Sequence, residues 1–250
     1  MTLTDFCKAT GISESTIVRF TVTLGYSGYP AFRKDFQQMV RSELTTFERF
    51  KLFSNGRDHQ NQMTSPFKKS LQIETENIQK LLESIRQEDL EQVIHYLSSA
   101  KDVFIAGAQS TEWIAQYFGY HLSIISDNIH IITRANGEAV NILRVIDRKS
   151  LVFLISLLRY PRALMNVGLW AKKKGAKVIV ITDNIISPFK DIGDVFLIVP
   201  TTFISFLYTN AALVALVNCI VVEFGSKQKR RVMEHLKHWE KTNKFQSIFA

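Results

Sequence analysis

Between Val103 and Val199 the chain repeats one unit: a short run dominated by valine, isoleucine and leucine, then a loop, then a helix-length stretch. The runs are Val103–Ala106, Asn128–Ile132, Leu151–Ser156, Lys177–Thr182 and Val195–Val199. Apart from Asn128–Ile132 none alternates apolar with polar residues, so the strands of this sheet are expected to be covered on both faces. Helices at Thr111–Ile125, Glu138–Ile146, Pro161–Lys174 and Phe203–Phe224 supply the cover, and Gly175 closes the third of them. The fold class that follows is α/β, a five-stranded parallel sheet in three layers, with only helices ahead of it. Phe203–Val222 (FISFLYTNAALVALVNCIVV) is long enough to suggest a membrane span. It contains Ser205, Thr209, Asn210 and Asn218 and follows directly on the last strand. A helix buried against the sheet accounts for it, and no membrane association is expected.

The stretch Gly11–Arg33 (GISESTIVRFTVTLGYSGYPAFR) carries the second signal. Ser13 stands where an N-cap is needed, and the helix it opens runs to Leu24 and stops at Gly25. Ile17, Phe20 and Leu24 form one apolar stripe, with Ser15, Thr16, Arg19 and Thr23 opposite. With Leu3–Thr10 as a first helix joined through Gly11-Ile12, this has the build of a helix-turn-helix and its major-groove recognition helix. On spacing alone, two surface helices with an ordinary turn fit as well. Pro30 opens a further helix with Phe32, Phe36 and Met39 or Val40 on one face. Arg33, Lys34 and Gln37 lie on the other, with Arg33 or Lys34 near phosphates or simply solvated. Ser42–Phe53 reads as amphipathic through Leu44, Phe47 and Phe50 or Phe53.

Polar residues 54–65 (SNGRDHQNQMTS) read as a linker. Pro66–Ser84 is a helix with Leu71, Ile78, Leu81 and Leu82 at helical spacing, which either pairs with its twin in a dimer or caps the second domain. Gln87–Ala100 leads into the first strand. The expected domains are therefore 1–53, a DNA-binding module; 54–86, a linker and connecting helix; and 87–250, an effector domain ending in the basic helix Lys227–Asn243. The net charge of +8 suits a polyanionic partner, but its placement weakens that argument. An excess of four basic residues lies in 222–250 and only two in 1–60. Two cysteines, Cys7 and Cys219, both in apolar helical patterns, and the absence of a signal-peptide pattern in Met1–Thr10 point to a reducing cytoplasm.

In a sheet of this kind ligands sit outside the carboxyl ends of the strands, where strand order reverses. Two loops qualify. Gly107-Ala108-Gln109-Ser110-Thr111 runs straight into a helix N-terminus, where N–H groups and hydroxyls can cradle a phosphate. Ser156-Leu157-Leu158-Arg159-Tyr160-Pro161 enters the next helix but one, and Arg159 can bind an oxyanion in bidentate fashion.

The residues Ser13-x-x-Thr16-Ile17-Val18-Arg19-Phe20 and Leu24-Gly25-Tyr26-x-Gly28-Tyr29-Pro30-x-Phe32 resemble the helix-turn-helix of the RpiR family of bacterial transcription regulators. Relative to that family the chain opens almost inside the motif, as an apparently truncated module. The stretch Gln87–Phe224, with Thr182-Asp183-Asn184, Ser187-Pro188 and Ala171-x-x-x-Gly175-Ala176, resembles the sugar isomerase (SIS) domain that accompanies it. The resemblance implies a homodimeric or homotetrameric regulator. It would bind operator DNA through Ser13, Ser15, Thr16, Arg19, Thr23 and Arg33, and a small anionic, sugar-phosphate-like effector through Gly107, Gln109, Ser110, Thr111, Ser156, Arg159 and Tyr160. The pocket loops depart from the family pattern. The first usually carries a second glycine and a serine where this chain has Gln109 and Thr111. The second usually reads Ser-x-Ser-Gly-x-Thr, so Leu158 and Arg159 replace a hydroxyl and a glycine. A phosphate, a carboxylate or another anion all fit these residues.

An isomerase needs a carboxylate or imidazole poised to move a proton. Glu112, Glu138, His121 and His130 are the candidates, but Glu112 is equally a favourable charge in a first helical turn, and the histidines show no partner in the sequence. His235 and His238 share a helix face without a third ligand. No catalysis, metal or cofactor is expected.

Overall fold

The structure, a computed structural model, describes residues 2–33, 36, 44–55, 65–134, 136–184, 187–204 and 207–246. Helix α1 (Leu3–Thr10) opens on a reciprocal cap in which Thr2 and Asp5 bond each other's backbone N–H. It ends at Gly11, whose φ of 71° only glycine adopts without strain. Helix α2 (Glu14–Thr23) is capped by the Ser13 hydroxyl at 3.3 Å from the Thr16 N–H. Its buried residues are Ile17 and Thr21, and Phe20 is 54% exposed, so the expected stripe through Phe20 is corrected. Thr21 can take the inner place because its hydroxyl is satisfied by the Val18 carbonyl at 2.8 Å. Phe20 instead lies edge-on to Phe32 on the following helical turn, which starts at Tyr29. Lys34, Gln37, Met39 and Val40 lie outside the described residues.

Helix α3 (Thr46–Asn55) inverts the expected amphipathicity. Phe47 is 74% and Phe50 50% exposed, while Arg49 is buried at 7%. Helix α4 (Pro66–Ser84) and α5 (Gln87–Ser99) lead into β1 (Asp102–Gly107). There follow α6 (Glu112–Ile125), β2 (Ile129–Ile132), α7 (Gly137–Arg144), β3 (Ser150–Ile155), α8 (Arg162–Lys173), β4 (Lys177–Thr182) and β5 (Val195–Ile198). All four strand pairings are parallel, in the order β2-β1-β3-β4-β5. Ile105, Phe153 and Ile179 face one core with α5 and α6; Phe104, Val152 and Val178 face the other, with α8.

The last apolar stretch departs from its expected form. Phe203–Ile204 (β6) and Leu207–Tyr208 (β7) make a small antiparallel pair, and helix α9 begins only at Ala211, running to Lys227. The carboxylate of Glu74, on α4, accepts the N–H groups of Asn210 and Ala211 at 3.2 and 3.0 Å and so fixes where α9 starts. Beside it Asn77, 1% exposed, donates to Thr209 Oγ1 and accepts from Thr202 Oγ1. The face of α4 bearing Asn77 and Leu81 thus closes one end of the sheet domain, and α10 (Lys229–Gln246) completes the chain. Among the described residues no single helix is long and apolar enough to cross a membrane.

Candidate functional site

Strand order reverses between β1 and β3, and the register places Gly107 beside Ile155. The two candidate loops therefore leave the sheet side by side. Thr111, 2% exposed, joins them: its hydroxyl donates to the Ile155 carbonyl at 2.8 Å and accepts the Ala108 N–H at 3.1 Å. That hydroxyl shapes the loop and is turned away from solvent. Gly107 has a similar internal reason, since a Cβ there would lie 2.4 Å from the Thr111 carbonyl oxygen.

Backbone strain marks the next feature. Among the described residues three non-glycine residues have positive φ, and two of them are Gln109 (55°) and Arg159 (75°), one in each loop. They stand where the resembling family has glycines. Each left-handed L-residue costs on the order of 1 kcal/mol, a cost that persists where the surroundings hold it in place. Both side chains line one cavity of about 260 Å³, together with Ser110, Tyr208, Asn210 and Arg49.

Arg49 enters this cavity from α3, outside the sheet domain. Its Nη2 lies 3.4 Å from Thr46 Oγ1 and its guanidinium carbon 4.6 Å from the centre of the Phe203 ring, while its Nε has no partner. The Ser156 Oγ is also buried without a partner, and the buried Tyr208 hydroxyl lies beside the Arg49 guanidinium. Orphaned buried polar atoms are rare in native proteins and mark places where a ligand or water completes the bonding. Burial pushes the Tyr208 phenol well above its ordinary range, with the nearby Asp183 carboxylate adding to it, so it stays a neutral donor. Arg159 donates from Nη2 to the Leu44 carbonyl at 3.1 Å. Among the described residues neither arginine meets a carboxylate within 4.0 Å.

Tyr160 is placed differently from Arg159. Its hydroxyl donates to Asp183 at 3.1 Å, and Asp183 also accepts the Leu158 N–H at 3.2 Å, which ties the second loop to the end of β4. Desolvation pushes the Asp183 carboxyl up to about 6 against the pull of these donors. An unfolded aspartate titrates near ~3.9, so the folded chain holds this proton more tightly. Stability contributed through the group is present below about pH 4 and declines as pH rises through about 6. Asp183→Asn should flatten that limb in urea midpoints measured at half-unit steps; a limb of unchanged slope would assign it to other groups.

The SIS domain pattern matches residues 96–222, and that of the rpiR-family helix-turn-helix matches residues 1–43. The chain belongs to the SIS domain family and carries an RpiR-type helix-turn-helix ahead of that domain. An uncharacterized HTH-type transcriptional regulator from Providencia stuartii is 23% identical over 193 residues, covering 73% of this chain and 62% of its own length. The chain thus spans less than two thirds of that relative. The sugar isomerase domain of an RpiR transcription factor from Sphaerobacter thermophilus superposes with a TM-score of 0.66 at 20% identity, over 69% of this chain and 97% of its own. The Vibrio vulnificus NanR protein superposes at 0.62 with 18% identity, over 97% and 85%.

Within this SIS domain the catalytic candidates lie apart from the cavity between the loops. Glu112 pairs with Arg134 at 3.9 Å, and His130 bonds Asp102 at 3.1 Å beneath Phe104. His121 packs edge-on against Tyr117, and His235 faces Asp127 at 3.7 Å. Among the described residues no carboxylate or imidazole lines the cavity that holds Arg49 and Arg159. Gly107 borders a separate, largely apolar cavity of about 410 Å³ with Ile132 and Val167. On the helix-turn-helix, Ser13, Ser15, Thr16, Arg19, Thr23 and Arg33 are all exposed, and among the described residues no element covers the outer face of α2. Tyr26, just beyond α2, is buried and donates to Asn184 at 3.5 Å, bringing the module against the end of β4.

Sequence reasoning missed Arg49 because an arginine between two phenylalanines on an amphipathic helix reads as the solvated face. The available signal was the left-handed glycine position occupied by Arg159, which already placed one guanidinium at the switch point.

Proposed function

We propose that this chain is a transcription regulator that reads operator DNA through α2 and senses a small anionic metabolite in its SIS domain. The observation that carries the reading is the combination of an exposed hydroxyl-and-arginine helix face with a cavity that offers two guanidiniums and, among the described residues, no lining carboxylate or imidazole. The NanR structure is a complex with ManNAc-6P, a sugar phosphate, which supports the ligand class. Sensing without turnover, in the cytoplasm where operator DNA is reached, follows from the same reading. Arg19→Ala is expected to reduce discrimination between operator and unrelated duplex by the equivalent of about 1–3 kcal/mol. A gel shift at fixed salt with DNA flanking its own gene checks this; full selectivity in the variant would remove Arg19 from the reading face.

A near-palindromic operator requires two recognition helices about 34 Å apart, and we infer that α4 pairs the protomers. Its outer face exposes Phe67, Leu71, Ile78 and Leu82. Their spacing reads the same from either end, so an antiparallel twin sets Phe67 against Leu82 and Leu71 against Ile78, as a two-fold contact demands. Leu71→Asp should convert a dimer to monomer in light scattering, and a dimer that survives the change pairs elsewhere.

A further inference from the structure

The cavity between the loops is built by two parts of the chain. Gln109, Ser110 and Arg159 belong to the SIS domain, while Arg49 belongs to α3, which follows the helix-turn-helix. Each part presents a guanidinium whose neighbours now are neutral groups: the Leu44 carbonyl for Arg159, and the Thr46 hydroxyl, the Phe203 ring and the Tyr208 hydroxyl for Arg49. Arg49 is 7% exposed with its Nε unbonded, a position that costs free energy until an acceptor arrives. Helix α3 also turns Phe47 and Phe50 outward and places Arg49 inside, a reversal of ordinary patterning that functional sites show.

We propose that one oxyanion bridges Arg49 and Arg159, so that the effector fastens α3 to the second SIS loop. This rests on the sensor reading above and names the group that reports occupancy to the DNA-binding side. Gln109 and Arg159 stand at the two glycine-type backbone positions, so their side chains occupy space in the loops that a bare backbone would leave to a phosphate. The anion is therefore read by guanidinium forks rather than by loop amides, and it sits displaced toward α3. Bound there, it satisfies the Arg49 Nε and competes with the Leu44 carbonyl for Arg159. Leu44 lies two residues before α3, so loss of that bond and gain of the bridge change the attachment of the same helix. A ligand acts on an equilibrium only through differential affinity for its two states, and a site with walls from two modules has that difference built in.

The test uses the full chain with inorganic phosphate against chloride at matched ionic strength, and malonate in a parallel arm. Hydrogen exchange over residues 46–55 and 156–160 should slow together in one of the two arms, and the arm that acts identifies phosphate or carboxylate. Arg49→Gln and Arg159→Gln should each weaken anion binding by about ten-fold or more, as expected for a charge-assisted bond. Arg49→Lys, which keeps the charge without the fork, should fall between and guards against a fold lost to glutamine. If the anion slows 156–160 while 46–55 stays unchanged and Arg49→Gln binds as the parent does, the bridge is overturned and the sensor reading stands. If neither anion changes either segment, both are overturned.

Discussion

Arg159→Gly should leave the protein as stable as the parent, within about 1 kcal/mol, while anion binding falls at least about ten-fold. The two halves of this expectation come from different atoms. At φ 75° the backbone of residue 159 prefers glycine, so removing the side chain relieves strain of about 1 kcal/mol and offsets the chain entropy that a glycine adds. The lost bond to the Leu44 carbonyl is solvent-exposed and worth little. Binding loses a guanidinium in a cavity whose other cation comes from α3. Thermal unfolding and calorimetry with inorganic phosphate and malonate measure both quantities. Leu158→Gly, at a neighbouring residue without positive φ, is the control and should destabilise. A melting temperature lowered by more than about 5 °C in Arg159→Gly would make the arginine a structural residue. Undiminished anion binding would take it out of the site.

Gly107→Ala is expected to have the largest effect on stability in the sheet domain. The added methyl would lie 2.4 Å from the Thr111 carbonyl oxygen and 2.8 Å from the Ala115 Cβ, in contacts formed by backbone and a packed helix. Neither can yield without moving the loop that Thr111 holds to β3. Overpacking of this kind costs about 1–3 kcal/mol, a fall in melting temperature of roughly 3–10 °C for a chain of this size. Anion binding should weaken as well, because Gln109 and Ser110 ride on the displaced loop. Gly137→Ala, with nothing within 4 Å of its added carbon, should be neutral or slightly stabilising in the same unfolding measurement. An unchanged melting temperature in Gly107→Ala would show that the loop has slack.

The sheet was legible from the sequence because burial on both faces leaves a continuous apolar run. Lys177–Thr182 matches β4 at both ends, and the other four strands differ by a residue at one or both ends. The cap at Ser13 and the turn at Gly11 were legible because both act over three or four residues. The start of α9 was not. Residues 203–210 offer only an apolar run with scattered hydroxyls, and the decision between strand and helix is made by Glu74, more than a hundred residues earlier. Phe20 was misplaced for a related reason: hydropathy puts the phenylalanine inside, but Thr21, its hydroxyl bonded to its own helix, takes the buried place. At the site the sequence located both loops and one arginine. It did not show that Thr111 faces inward, that Tyr160 serves Asp183, or that Arg49 arrives from the preceding module.

The bond from Thr111 to the Ile155 carbonyl has a mechanical consequence. It links the banks on either side of the crevice where strand order reverses, one hydroxyl contacting both. A ligand that pushes on residues 156–160 cannot spread the crevice without breaking that contact, so the displacement is passed outward to whatever packs on the loops from above. Rigidity at the floor is thus what an effector of a few atoms would need in order to shift a helix.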